Sequence, residues 1–365
     1  MTLHRLPTDK SGSAAPMGVS VSLVQELYDL GDAIMRTRAV QGFEHAARIF
    51  PIHRLVRCAV RREAAALFDD LALQMGCQAQ RLDEASLLLD GPGVFAYGQG
   101  YSKGEYVSCV FRVWTDTLER CEEIRQRLLR IVGDQRLRDR MFVVDWNFCN
   151  AQGHLNSTSF DEIADDTLLD DAYPSLGSRV EDFITRYLDA REPVLILQGP
   201  AGMGKTRLVR AVLAELSRRK GDSAKVMYTA DKRALENDEI FVDFITGSHD
   251  AFVIEDADLL LKARASGNFE MHRFLGTADG VVRAQSRKVI FTTNLPNIHD
   301  MDDALLRPGR CFAVKNLRSL TREEAITLAE RICGPDAEKV ARTRAALLTA
   351  ESRYYSVAQV YRACA

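Results

Sequence analysis

A chain of 365 residues with 46% hydrophobic and 27% charged side chains has ordinary globular composition and room for two domains. Its 48 basic and 51 acidic residues leave a formal net charge of -3, which provides no global field for a polyanion such as nucleic acid. The eight cysteines form no C-x-x-C pair, which argues against a zinc site or a secreted disulfide framework, and no run nears the roughly 18 apolar residues of a membrane span. The first twenty residues also lack a continuous apolar signal core, so the expectation is a soluble, cytoplasmic protein with reduced thiols.

Residues 1–18 are small, polar and broken by Pro7, Gly12 and Pro16, the composition of a flexible tail. From Val19 to about Met75 apolar residues recur at helical spacing, among them Leu23, Leu27, Leu30 and then Val56, Val60, Ala64, Leu67 and Leu71. Gly93 to Thr115 reads as two β-rich runs around a turn, Leu118 to Val132 as an amphipathic helix, and Met141 to Phe148 as a further strand. These elements predict a small α+β domain over residues 19–150. The arginines of its second helical stretch alternate with Glu119, Glu122 and Glu123, which suits a solvated face better than a nucleic-acid surface.

Between Asn156 and Ser178 there is no Lys or Arg, while Asp161, Glu162, Asp165, Asp166, Asp170 and Asp171 accumulate. That shift predicts an acidic linker over residues 151–178. Val180, Phe183, Ile184, Tyr187 and Leu188 then form one apolar helical face leading into a second domain.

"VLILQGPAGMGKTRLV" places an apolar strand, a glycine loop and a helix start in the order a phosphate-binding loop needs. Gly199, Pro200, Ala201, Gly202, Met203, Gly204, Lys205 and Thr206 fit G-x-x-x-x-G-K-[ST]. Glycines let backbone N–H groups face the phosphates of a bound nucleotide, Lys205 reaches the β/γ oxygens, and the Thr206 hydroxyl suits Mg²⁺. A chance match in a chain this long is on the order of 1% from residue usage.

"AFVIEDAD" follows as a buried strand ending in Glu255 and Asp256, acids that a parallel sheet would set beside the loop. Glu255 is expected to serve the metal and Asp256 to orient the attacking water. "RKVIFTTNLPNI" adds a third strand ending at Asn294, an amide able to hydrogen-bond that water or the γ-phosphate. In "DDALLRPGRCF", Arg307 and Arg310 flank a Pro-Gly turn. Arginines on such a turn do not reach their own chain's nucleotide but can reach a neighbour's, so the expected active site is shared between subunits.

These motifs, taken in order, resemble the AAA (AAA+) family of ring-forming ATPases, over roughly Tyr173 to Ala365. The resemblance implies ATP and Mg²⁺ as cofactors, a large α/β domain of parallel sheet flanked by helices over residues 179–315, a small helical lid over residues 316–365, and a homo-oligomer, hexamer or heptamer. The lid is readable by itself: Thr321 and Glu324 form a capping-box pattern, and two helical segments follow. Within the family the chain is most similar to the branch containing the mitochondrial translocase of the Rieske iron–sulfur protein. That likeness rests on "ALENDEIFVDFI", on "FLGTADGVV" and on the Glu-Asp order of "IEDAD", an order found in active members. Neither the membrane helix of that branch nor the domain after it is readable here, and residues 230–248 lack the aromatic pore loop of threading unfoldases. Arg362 is a candidate for a lid arginine at the nucleotide.

The resulting expectation is an ATP hydrolase remodelling or translocating a protein partner chosen by the N-terminal domain. Two alternatives remain open: a nucleotide-gated oligomeric scaffold of slow turnover, as in defence or signalling, and a DNA-acting ATPase, although no basic stripe or aromatic base platform is present.

Overall fold

A computed structural model of the protein describes residues 19–43, 51–104, 106–133, 141–164, 168–220, 223–262, 287–297, 301–303, 305, 307, 309–349 and 353–365. The predicted tail and the "FLGTADGVV" segment lie outside them. The chain divides into two compact units, residues 1–137 and 138–365.

The first unit runs α1 (Val19–Gly42), β1 (Ile52–Val60), α2 (Ala64–Met75), β2 (Gln78–Asp83), β3 (Ser86–Gly91), β4 (Val94–Ser102), β5 (Val107–Thr115) and α3 (Leu118–Val132). Its antiparallel sheet has the order β1-β5-β4-β3-β2. On one face α2 and α3 bury Leu67, Phe68, Leu71, Ile124 and Leu128 against Val56, Cys58 and Phe111. On the other, Met35 and Ala39 of α1 pack on Phe95, Tyr97 and Trp114. The helical reading of Val56 and Val60 is corrected here: both lie on β1, where Val56, Cys58 and Val60 alternate inward with period two. The charges of α3 pair along the helix, Arg125 with Glu122 at 2.8 Å, as a solvated face does.

The second unit begins with β6 (Met141–Cys149) and β7 (Leu155–Ile163), followed by α4 (Val180–Asp189), β8 (Val194–Gln198), α5 (Lys205–Lys220), β9 (Ala224–Thr229), α6 (Lys232–Glu236), α7 (Asp238–Thr246), β10 (Ala251–Ile254), α8 (Asp258–Leu261), β11 (Lys288–Thr293) and β12 (Cys311–Asn316). The sheet order is β12-β8-β11-β10-β9-β6-β7. Every pairing is parallel except that of β6 with β7. Strands β8 and β10 are buried at every position, as expected of parallel strands covered on both faces. One face packs on α4 and α5 through residues such as Phe183, Leu208 and Val212, the other on Phe241, Phe244 and Leu260.

Placing β6 and β7 in this sheet moves the boundary expected near residue 150. Residues 141–163 are neither the end of an N-terminal domain nor a linker: β6 pairs in parallel with β9, from Phe142 opposite Ala224 to Trp146 opposite Tyr228. A buried polar cluster fastens the extension. Asp145 on β6 accepts from Ser159 of β7 and lies 2.7 Å from His249 Nε2, ahead of β10, and 3.3 Å from Lys225 Nζ on β9. Burial works to raise the Asp145 carboxyl, but the bonds from His249 and Ser159 and the charge of Lys225 outweigh it and hold it at about 2.

The acidic stretch is likewise built in. Asp170 accepts the Val180 N–H at 2.7 Å, Glu162 pairs with Arg210 at 3.2 Å, and Asp171 pairs with Arg331 at 3.3 Å. Its lack of basic residues reflects partners elsewhere in the chain, not an exposed tether.

After β12 come β13 (Leu320–Thr321), α9 (Arg322–Cys333), α10 (Ala337–Thr349), β14 (Tyr354–Tyr355) and α11 (Val357–Cys364). Thr321 caps α9: Glu324 N–H donates to the Thr321 hydroxyl at 3.3 Å and Thr321 N–H to the Glu324 carboxylate at 2.8 Å. No helix among the described residues is long and apolar enough to cross a membrane.

Candidate nucleotide site

Strand β8 delivers the chain into the glycine loop and α5 receives it. Three loop glycines take left-handed conformations, with φ of 147° at Gly199, 80° at Gly202 and 83° at Gly204. At Gly199 a Cβ would sit 2.3 Å from the Leu317 carbonyl oxygen, so the close approach of the segment after β12 permits no side chain. The loop crosses the carboxyl ends of the parallel strands, where α/β sheets gather ligands.

Lys205, the first residue of α5, turns its ammonium back over the loop and donates to the carbonyls of Gly199 at 2.6 Å and Pro200 at 3.0 Å and to Asn294 Oδ1 at 2.8 Å. Burial lowers its pKa, opposed by the charges of Asp256, Asp258 and Glu255. The Thr206 hydroxyl donates to Glu255 Oε1 at 2.7 Å. Asn294 Nδ2 donates to Asp256 Oδ1 at 3.0 Å. Asp256 has a φ of 48°, a left-handed conformation just after β10, and its N–H is held by Thr292 Oγ1 at 3.1 Å.

Residues expected from three separate stretches of sequence thus meet at one cavity of about 600 Å³, lined by the loop from Ala201 to Thr206 together with Glu255, Asp256 and Asn294. Gly199 and Pro200 contribute through the carbonyls that hold Lys205. Arg307 and Arg310 are not among the lining residues. Arg307 is exposed, and Arg310 is anchored by its backbone, donating to the Arg307 carbonyl and accepting from Val194. Arg362 is also outside the cavity; Tyr361, one residue earlier on α11, lines it beside Val357 and Ala358. The Ala358 N–H donates to the Gly202 carbonyl at 3.0 Å, and the Arg207 guanidinium lies 4.5 Å from the Tyr361 ring centroid.

Three contributors were not read from the sequence. Tyr173, buried ahead of α4, donates to the Gly204 carbonyl at 3.1 Å. Asp258 accepts from both the Thr293 hydroxyl at 2.5 Å and the Asn294 N–H at 2.8 Å, fixing the turn that aims Asn294. Tyr228 on β9 is half-buried and donates to Glu255 Oε2 at 2.9 Å. Burial first, and then the Glu255 charge, push its phenol pKa well upward. Only Asp258 carried a visible signal, as the third acid of "IEDAD".

A glycine loop between a parallel strand and a helix, with paired acids on another strand end, defines a P-loop NTPase of α/β fold. Residues 195–318 match the family model described as ATPase family associated with various cellular activities (AAA), which supports an AAA-type ATPase domain over that segment. Protein mac-1 of Caenorhabditis elegans is 29% identical over 150 residues, a match covering 36% of this chain and 17% of that protein.

Proposed function

We propose that this protein hydrolyses ATP as a ring of identical subunits, six or seven in number, and couples turnover to remodelling or moving a protein partner. The observation that carries the reading is the chain Lys205–Asn294–Asp256 lying beside the Thr206–Glu255 pair in one cavity. Lys205 meets the charge of the β/γ phosphates, Asp256 orients and takes a proton from the attacking water, and Asn294 holds both in register. Thr206 and Glu255 offer neighbouring oxygen donors, a hard set that fits Mg²⁺. When bound there, the ion supplies charge neutralisation at the phosphates.

The arginine pair adds the oligomer. Arg307 and Arg310 stand outside their own chain's cavity on a turn after the third core strand, and in this reading they serve a neighbour's γ-phosphate. The N-terminal unit supplies a surface for partner choice, and the free thiols agree with a cytoplasmic setting.

Steady-state ATPase assays run in parallel with mass measurement at each protein concentration test the proposal. Turnover should rise as the oligomer forms. A strictly monomeric chain turning over at full rate would overturn it, and nucleotide-dependent assembly with negligible turnover would point to a scaffold.

A further inference from the structure

A second cavity, of about 330 Å³, lies between α5 and the strands β6, β7 and β9. Its walls are apolar, with Val144 and Trp146 of β6, Phe160 of β7 and Val209 and Leu213 of α5 among them. Phe142 and Tyr228 add two more rings, and Trp146, 43% exposed, stands at its rim. The size and apolar walls are those of a small-molecule site.

The polar groups sit at its two ends. Near the start of β6, where Glu162 of β7 lies opposite Phe142, Arg210 pairs with Glu162 at 3.2 Å, so the two charges cancel. At the carboxyl ends lie Thr206, Tyr228 and Glu255. Glu255 is bonded there by two neutral hydroxyls and has no ion-pair partner among the described residues. The charges of the lining residues therefore sum to one negative, on Glu255, facing a group of aromatic rings. Thr206 and Glu255 line the nucleotide cavity as well.

We propose that this second cavity binds a small aromatic organic cation, its ring against Trp146 and Phe160 and its ammonium toward Glu255, and that its occupancy opposes metal–nucleotide binding at the same carboxylate. Aromatic faces and a carboxylate together select an ammonium over an anion of equal size. The opposition follows from sharing: a carboxylate cannot be neutralised by both occupants at full strength. This second half rests on Glu255 serving the metal, as proposed above.

The full-length Trp114→Phe protein leaves Trp146 as the single tryptophan of the two in the chain, a reporter on the cavity rim. 2-Phenylethylamine should change its emission saturably, whereas 3-phenylpropanoate, the same ring with the opposite charge, should bind at least about tenfold more weakly. Filling the cavity with Val144→Phe or Leu213→Phe, checked for folding by binding of a fluorescent ADP analogue, should abolish the response. Saturating Mg-ADP should raise the apparent Kd for 2-phenylethylamine by about threefold or more. Equal response to both probes, no response, or an undiminished response in a folded filled variant overturns the proposal; the probe pair decides this in the parent protein alone if neither variant folds. Nucleotide binding without any effect of Mg-ADP on the amine overturns the coupling. Amine binding in a protein that takes no nucleotide would strike the nucleotide reading and leave the cavity's ligand class standing.

Discussion

Asn294 joins Lys205 to Asp256: its Oδ1 accepts from the lysine ammonium at 2.8 Å and its Nδ2 donates to the aspartate at 3.0 Å. One amide thus sets the spacing between the group proposed to bind phosphate and the group proposed to orient water. Asn294→Ala should lower kcat by about tenfold to a hundredfold while changing nucleotide affinity much less. Turnover assays beside a fluorescent-nucleotide titration check this. An unchanged kcat would remove Asn294 from the machinery.

Asp256→Asn tests the water-orienting role with little structural disturbance. Asparagine is among the few residues at ease in the left-handed conformation that Asp256 occupies, so the turn after β10 should survive. ATP binding should persist while turnover falls by about a hundredfold or more. Normal hydrolysis would shift the role to Glu255.

Shared sites predict complementation. Lys205→Ala alone should abolish nucleotide binding, and Arg310→Ala alone should bind but not turn over. A mixture should recover part of the activity, because some interfaces pair an intact loop with an intact arginine. Inactive mixtures in which mass measurement finds mixed oligomers would argue for sites complete within one chain.

Two substitutions at the loop should separate backbone strain from a lost hydrogen bond. Gly199→Ala forces a Cβ to 2.3 Å from the Leu317 oxygen in a left-handed conformation, so thermal denaturation should show a marked loss of Tm together with loss of nucleotide binding. Tyr173→Phe keeps the ring and removes the bond to Gly204, and should cost about 0.5–1.5 kcal/mol by chemical denaturation.

Acid should loosen the β6–β7 extension. Asp145 titrates at about 2 in the folded protein against an ordinary 3.8, so the stability it adds is fully present above the ordinary value and disappears as pH falls through about 2. Asp145→Asn should be less stable than the parent at neutral pH, and the gap should narrow as pH drops from about 4 toward 2. Denaturation midpoints of both proteins across that range are the measurement, and a constant gap would contradict the assignment.

The residues that line the candidate nucleotide cavity were largely legible because they follow local rules. A strand, a glycine loop with Lys205 and Thr206, and acids or an amide at strand ends each announce themselves within a dozen positions. Tyr173 and Tyr228 escaped because an isolated tyrosine carries no such pattern, and their partners lie 31 and 27 positions away. Val56 and Val60 satisfy a helical spacing, yet with Cys58 they satisfy strand alternation equally well; only the sheet decides between the two. The membership of β6 was hidden for a related reason. Its parallel partner β9 lies beyond α4, β8 and α5, and no short-range feature foretells a pairing across that distance.

That pairing dictates where the chain can be cut. Severing it near residue 150, where composition shifts, would strip β6 from β9 and leave Met227 and Tyr228 on a raw sheet margin, inviting aggregation through unmatched amides. A fragment starting near residue 138 would keep the seam closed.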